Sequence, residues 1–135
     1  MEKRKKIFVI CPVEITDDVT KKKLEDYKKK LEAQGYEVYL PHFDTNQEAS
    51  EYEICLQKMK AIMEADEVHI FFVPLSCSSH FDLGITFLAC SCDEKKIIKV
   101  IENGGLTDEH GQIKLSFEKS FGQMIQEWEK NISHN

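Results

Sequence analysis

The sequence has no apolar run approaching the roughly twenty residues that span a bilayer, so no membrane-crossing helix is expected. It also lacks a secretory pattern. The apolar stretch behind Lys3-Arg4-Lys5-Lys6 is cut short at Pro12, and charge returns at Glu14. Positive charge is in deficit, with 18 Lys and Arg against 24 Asp and Glu, and the net charge of −6 argues against a broad nucleic-acid surface. Cysteine is too irregular for a secreted disulfide framework: Cys11, Cys55, Cys77, Cys90 and Cys92 are odd in number and lie in apolar or helical segments. Cys90-Ser91-Cys92 has no Cys or His partner at zinc spacing, so no metal is expected and the thiols read as buried and free. There is no GxGxxG after the first apolar segment and no Walker lysine loop. Repeats, linkers and low-complexity tracts are absent as well. What survives these exclusions is one cytoplasmic domain, residues 1–135, with residues 1–5 as a solvated basic leader and no cofactor.

Within that domain, strand and helix signals alternate. Ile7 to Cys11 is a buried strand closed by Pro12. Thr16-Asp17-Asp18 offers an N-cap and an acidic first turn for a helix carrying Val19, Leu24, Tyr27 and Leu31, which stops at Gly35. Tyr36 to Leu40 is a second strand, and His42 to Glu48 a polar loop. Ser50 caps a helix reaching Ala65, with Ile54, Met59 and Ile62 as its expected buried side. Val68 to Val73 reads as a central parallel strand, apolar throughout. His80 to Cys92 is a helix apolar nearly all round, expected to pack deep. Lys96 to Ile101 is the fourth strand, Glu102 to Gly111 a glycine-bearing loop, Ile113 to Leu115 a possible edge strand, and Phe117 to Asn131 a closing amphipathic helix with Phe121, Ile125 and Trp128 as packing residues. This alternation predicts a four- to five-stranded, mainly parallel sheet with helices on both faces, an α/β three-layer fold of the Rossmann-like kind.

Ligands in such sheets sit outside the carboxyl ends of the strands, where the strand order reverses. That rule selects three loops: Cys11 to Thr16, Pro41 to Gln47, and Pro74 to His80. The third is the most informative. In Glu67 to Gly84, EVHIFFVPLSCSSHFDLG, an apolar run breaks at Pro74, passes through Ser76, Ser78 and Ser79, and enters a helix carrying one carboxylate, Asp82. Unpaired amides and the helix dipole at such a mouth favour phosphates and sugars. Asp82 has two readings. Ser79-x-x-Asp82 ahead of an apolar run is a capping-box pattern, which needs no chemistry; alternatively, Asp82 touches ligand. Ser76, Ser78 and Ser79 are likewise either turn residues or ligand contacts, and His42 and Asp44 belong to a hydrogen-bond-rich loop beside the same mouth.

Lys6-Ile7-Phe8-Val9 through Pro12, Ala65-Asp66-Glu67-Val68, and above all Ser79-His80-Phe81-Asp82-Leu83-Gly84 resemble the nucleoside 2-deoxyribosyltransferase superfamily. Its members open with a K-I-Y-x-A-G-P strand and follow their third strand with S-G-T-x-[FY]-E-[LI]-G, whose Glu is the nucleophile. The resemblance implies a flavodoxin-like fold, a nucleoside or nucleoside 5′-monophosphate as substrate, a homo-oligomer, and transfer or hydrolysis at the N-glycosidic bond. Asp82 would attack the anomeric carbon, the base would leave as the N-glycosidic bond breaks, and water or a second base would resolve the glycosyl-enzyme. The Ser76, Ser78 and Ser79 hydroxyls would hold the sugar 5′ end, Phe8 and Phe81 would wall the sugar or base beside Cys11 and Pro12, and Gly84 would let its helix approach the sheet.

The chain departs from that pattern at four places. Asp82 is one methylene shorter than Glu, Phe8 replaces a tyrosine, Ile10-Cys11 replaces Ala-Gly, and Val73 stands where the leaving-group acid is expected. His80, His42 and Asp44 are the candidates to supply that acid, with His80 the first choice for acid or base. Phe8 and Val73 favour a second hypothesis, a protein that binds a nucleotide or nucleotide signal without turnover. A third is an oligomeric assembly protein.

Overall fold

The computed structural model describes residues 3–12, 15, 17–73, 76–105, 108–110 and 119–133. The possible strand at Ile113 to Leu115, the Phe121 side chain, Thr16 and Pro74 lie outside the described residues.

The described residues form, in order, β1 (Lys6–Ile10), α1 (Asp18–Ala33), β2 (Glu37–Tyr39), α2 (Pro41–Asp44), α3 (Glu51–Glu64), β3 (Glu67–Phe71), α4 (Cys77–Cys92), β4 (Ile97–Glu102) and α5 (Lys119–Ser133). The strands form one parallel sheet in the order β2-β1-β3-β4. This is the flavodoxin-like order, and the chain reverses direction across the sheet between β1 and β3. Right-handed crossovers then fix the layers. The β1-to-β2 connection puts α1 on one face, where Leu24 and Leu31 pack on Ile7, Val9, Val38 and Phe71. Crossing the other way, α3, α4 and then α5 cover the opposite face, where Ile62, Leu83, Ala89 and Ile125 pack on Phe8, Ile10, Val68 and Ile70.

Each helix end has a chemical cause. Asp17 accepts from the Val19 and Thr20 amides, at 3.3 and 3.1 Å, and starts α1. At its far end Tyr36 N–H bonds Leu31 O and Gly35 N–H bonds Glu32 O, a Schellman pair that requires the positive φ of 95° at Gly35. Ser50 caps α3 through the Glu53 amide. Its other end is closed from a distance: buried Lys96 donates to the carbonyls of Ile62, Met63 and Ala65.

Several expectations need correction. The polar loop after β2 begins with the short helix α2, because Pro41 pre-sets a helical φ and Asp44 reaches back to the Leu40 amide at 2.7 Å. On α3, Met59 and on α1, Val19 face solvent, and the buried row of α3 holds Lys58 beside Ile62. On α4 only one side packs inward; Phe81, Phe87 and Leu88 are exposed. Gly84 is exposed too, and a Cβ there would meet nothing within 4 Å, so it mediates no approach to the sheet. β3 is buried along its whole length, yet two of its five residues are polar: Glu67 and His69 satisfy each other, at 3.1 Å. Among the described residues, no helix is long and apolar enough to cross a membrane.

Candidate functional site

The carboxyl ends of β1 and β3 lie side by side at the reversal of strand order, and α4 starts just beyond β3. Ser76 is its N-cap. The Ser76 hydroxyl accepts from the Ser79 amide at 3.3 Å and from the Ser79 hydroxyl at 3.0 Å, and lies 3.1 Å from the Ser78 hydroxyl. The helix thus begins earlier than the capping-box pattern places it. Ser79 stands at its third position, and Asp82 lies most of a turn further in. There Asp82 shares the inward side with Ser79, Leu83, Thr86 and Ala89, so it caps nothing.

Asp82 has no exposed surface. Its Oδ1 lies 3.1 Å from Lys58 Nζ, itself buried on α3, while Oδ2 has no hydrogen-bond partner among the described residues. Burial pushes the Asp82 carboxyl up to about 7, with the Lys58 ammonium pulling it back toward the ionised form. The same ammonium lies 5.5 Å from the centre of the Phe81 ring. Next to this pair, an open groove of 720 Å³ runs between α3 and the start of α4. Pro12, Val73, Ser76, Ser78, Phe81 and Lys58 are among its walls. Lys58 therefore belongs both to the groove and to the buried pair.

The expected site residues divide into three groups. Pro12, Ser76, Ser78 and Phe81 line the groove. Ser79, Asp82, Cys11 and Phe8 have no exposed surface, and Phe8 is stacked on Tyr39 at 5.2 Å inside the core, so it walls no ligand space here. The Cys11 thiol is pushed up to about 12, chiefly by burial, although the His42 amide donates to it. It is therefore a neutral thiol at ordinary pH. The third group lies away from the groove walls. Asp44 is held by the Leu40 amide and by Lys28 at 2.7 Å. His42 packs edge-on against Phe43, and His80 tilts against Phe72 with ring centres 5.8 Å apart. Among the described residues there is no group of three or more His, Cys, Asp and Glu able to hold a metal ion.

Sequence reasoning missed Lys58. The signal was available: Ile54, Lys58 and Ile62 fall in one i, i+4 row, which places a lysine in the inward stripe of α3. A buried ammonium on one helix requires a carboxylate opposite, and Asp82 is the only charged residue of α4. No protein-family model matches the chain, and no curated protein matches it by sequence.

Proposed function

We propose that this protein takes a nucleoside or nucleoside 5′-monophosphate into the groove beside α4 and acts on its N-glycosidic bond, in the manner of the nucleoside 2-deoxyribosyltransferases it resembles. The observation carrying this reading is the buried Lys58–Asp82 pair placed next to an open groove where the strand order reverses. A carboxylate poised near neutral pH is suited to nucleophilic attack on a sugar carbon and to leaving again on hydrolysis or transfer. Lys58 keeps a fraction of Asp82 ionised that burial alone would suppress. The Ser76 and Ser78 hydroxyls and the Phe81 ring offer polar and flat apolar contacts to the sugar and base.

A second reading, binding without turnover, is favoured by one observation: Asp82 has no exposed surface, so a seated ligand meets Lys58 and the serines before it meets the carboxylate.

One experiment separates the two. Wild-type protein and Asp82→Asn are incubated with a panel of nucleosides and 5′-monophosphates, with and without a free acceptor base, and the products are resolved by chromatography. Base release or exchange that vanishes in the variant supports catalysis. No turnover, with a panel member raising the melting temperature of the wild type, supports binding alone. Neither turnover nor a thermal shift refutes both readings for that panel.

A further inference from the structure

Lys58 stands between two environments. Its side chain keeps only 2% of its surface exposed, yet it forms part of the groove wall between α3 and the start of α4. On its inner side Nζ meets Asp82 Oδ1 at 3.1 Å, the one ion pair that either residue makes among the described residues. Asp82 has no exposed surface, does not line the groove, and leaves Oδ2 without a hydrogen-bond partner. The ammonium is therefore what lets this carboxyl ionise at all in a buried position. Any anion that enters the groove competes for it.

The surroundings favour that competition. Lysine carries a point charge on a flexible stem, so Nζ can turn from one oxygen to another without a shift of α3. Ser76 and Ser78 place hydroxyls on the facing wall, and the contact between them uses only one of their two protons. Donors thus reach the groove from both walls, which suits a ligand group with several acceptor oxygens. Glu51, Cys55 and Lys58 follow one row of α3, so the groove is negative at one end and positive about 10 Å along. The other titratable groups that act on the pair are Cys11, at the end of β1, and Tyr39, on β2; both have raised pKa values and stay neutral near pH 7. His80, on α4, is turned against Phe72.

We propose that the groove binds an oxyanion through Lys58, and that Asp82, losing the ammonium, takes up a proton from solvent. Lys58 remains an ammonium throughout, and the neutral carboxyl needs no counter-ion where it is buried. The ligand group is a tetrahedral dianion, either the phosphate of a monoester or a free phosphate or sulfate. This coupling presupposes the groove as the ligand site, but not turnover there. A protonated Asp82 is no nucleophile, so an oxyanion at Lys58 switches the glycosidic chemistry off, whereas an uncharged nucleoside leaves the pair intact.

Titration calorimetry of the full chain with sodium sulfate tests this, at constant ionic strength, in two buffers of different ionisation enthalpy. Sulfate keeps its charge across the neutral range, so any proton taken up enters the protein. At pH 8 the wild type should take up about one proton per sulfate, and it should bind about tenfold more tightly at pH 6. Asp82→Asn frees Lys58 and should bind sulfate at pH 8 about tenfold more tightly than the wild type, without proton uptake. Lys58→Met should bind none. Should either variant fail to fold, infrared difference spectra of the wild type give the same answer: sulfate at pH 8 should raise a protonated-carboxyl band. No sulfate binding, binding without proton uptake, or uptake that persists in Asp82→Asn overturns the proposal. A nucleoside and its 5′-monophosphate, titrated in the same way, identify the source. Uptake with the monophosphate alone assigns the oxyanion to the ligand's own phosphate, and uptake with sulfate but neither nucleoside form assigns it to a free anion. Sulfate-linked proton uptake in a protein that no nucleoside or nucleotide stabilises would remove the nucleoside reading and keep the coupling; the reverse result would remove the coupling alone.

Discussion

Lys58 Nζ lies 3.1 Å from Asp82 Oδ1, and neither side chain has more than a trace of exposed surface. The two residues come from separate helices, so the pair ties α3 to α4 on the sheet face beside the groove. A pair of this kind is costly to form, because both charges leave water, and more costly to halve. The pair is buried, yet Lys58 also reaches the wall of the open groove.

Halving the pair gives the first prediction. Lys58→Met removes the cation that draws Asp82 toward ionisation, so Asp82 takes up a proton at neutral pH and the loss of the buried contact should cost about 1–3 kcal/mol. Replacing both partners, in Lys58→Met with Asp82→Leu, removes the charges together and should recover most of that loss. Urea unfolding of both single variants and the double variant gives the coupling. Purely additive effects would show that the two groups do not interact.

The pH dependence of stability carries a second prediction. The folded-state pKa of Asp82 is raised from 3.8 to about 7, so between those values the folded protein holds a proton that the unfolded chain releases. Its contribution is therefore fully favourable below about pH 4 and is lost as pH rises toward 7. Compared with Asp82→Asn, the wild type should lose stability steadily across that window. A difference that stays flat, followed by thermal melts at half-unit steps, would show that Asp82 is ionised throughout.

The sequence shows where the fold comes from more clearly than where the site comes from. The alternation of apolar strands with capped helices gives the parallel sheet, because Pro12, Gly35 and Ser50 act locally and can be read locally. Asp82 stood out for its position after a serine-rich turn. Its partner did not, since Lys58 is twenty-four residues away and only the packing of α3 on α4 joins them. The same limit hid Lys96, which reaches back to three carbonyls at the end of α3. The outer side of α4 was misjudged for a related reason: apolar residues on every side of a helix mark burial only when something covers each side.

Lys96 supports a third prediction. Its ammonium satisfies the carbonyls of Ile62, Met63 and Ala65 and places positive charge at the negative end of α3. Lys96→Met keeps the apolar stem and removes the donor, which should cost about 1.5–3 kcal/mol. Amide exchange should quicken at the end of α3 more than in β3. Uniform quickening over the whole sheet would mean that the loss is one of packing rather than of capping.

The last prediction concerns the opposite face of the sheet, where Tyr27 OH lies 2.5 Å from His69 Nδ1, and His69 Nε2 lies 3.1 Å from Glu67 Oε1. Lys99 approaches the same Glu67 oxygen at 3.4 Å. Burial lowers the His69 pKa, against the pull of Glu67 in the other direction. For Glu67, burial opposes ionisation, but His69 and Lys99 outweigh it and the net shift is downward. The neutral ring must then carry its proton on Nε2, donating to Glu67 and accepting the Tyr27 hydroxyl at Nδ1. Imidazole nitrogen shifts at pH 8 should report that tautomer. Because the folded pKa of His69 is depressed, its contribution to stability is present above the unfolded value of 6.5 and is lost as pH falls. Tyr27→Phe leaves Nδ1 without its donor and should cost about 0.5–1.5 kcal/mol at pH 8. No measurable penalty would mean that the hydroxyl is bound elsewhere and that the three residues do not act as one chain.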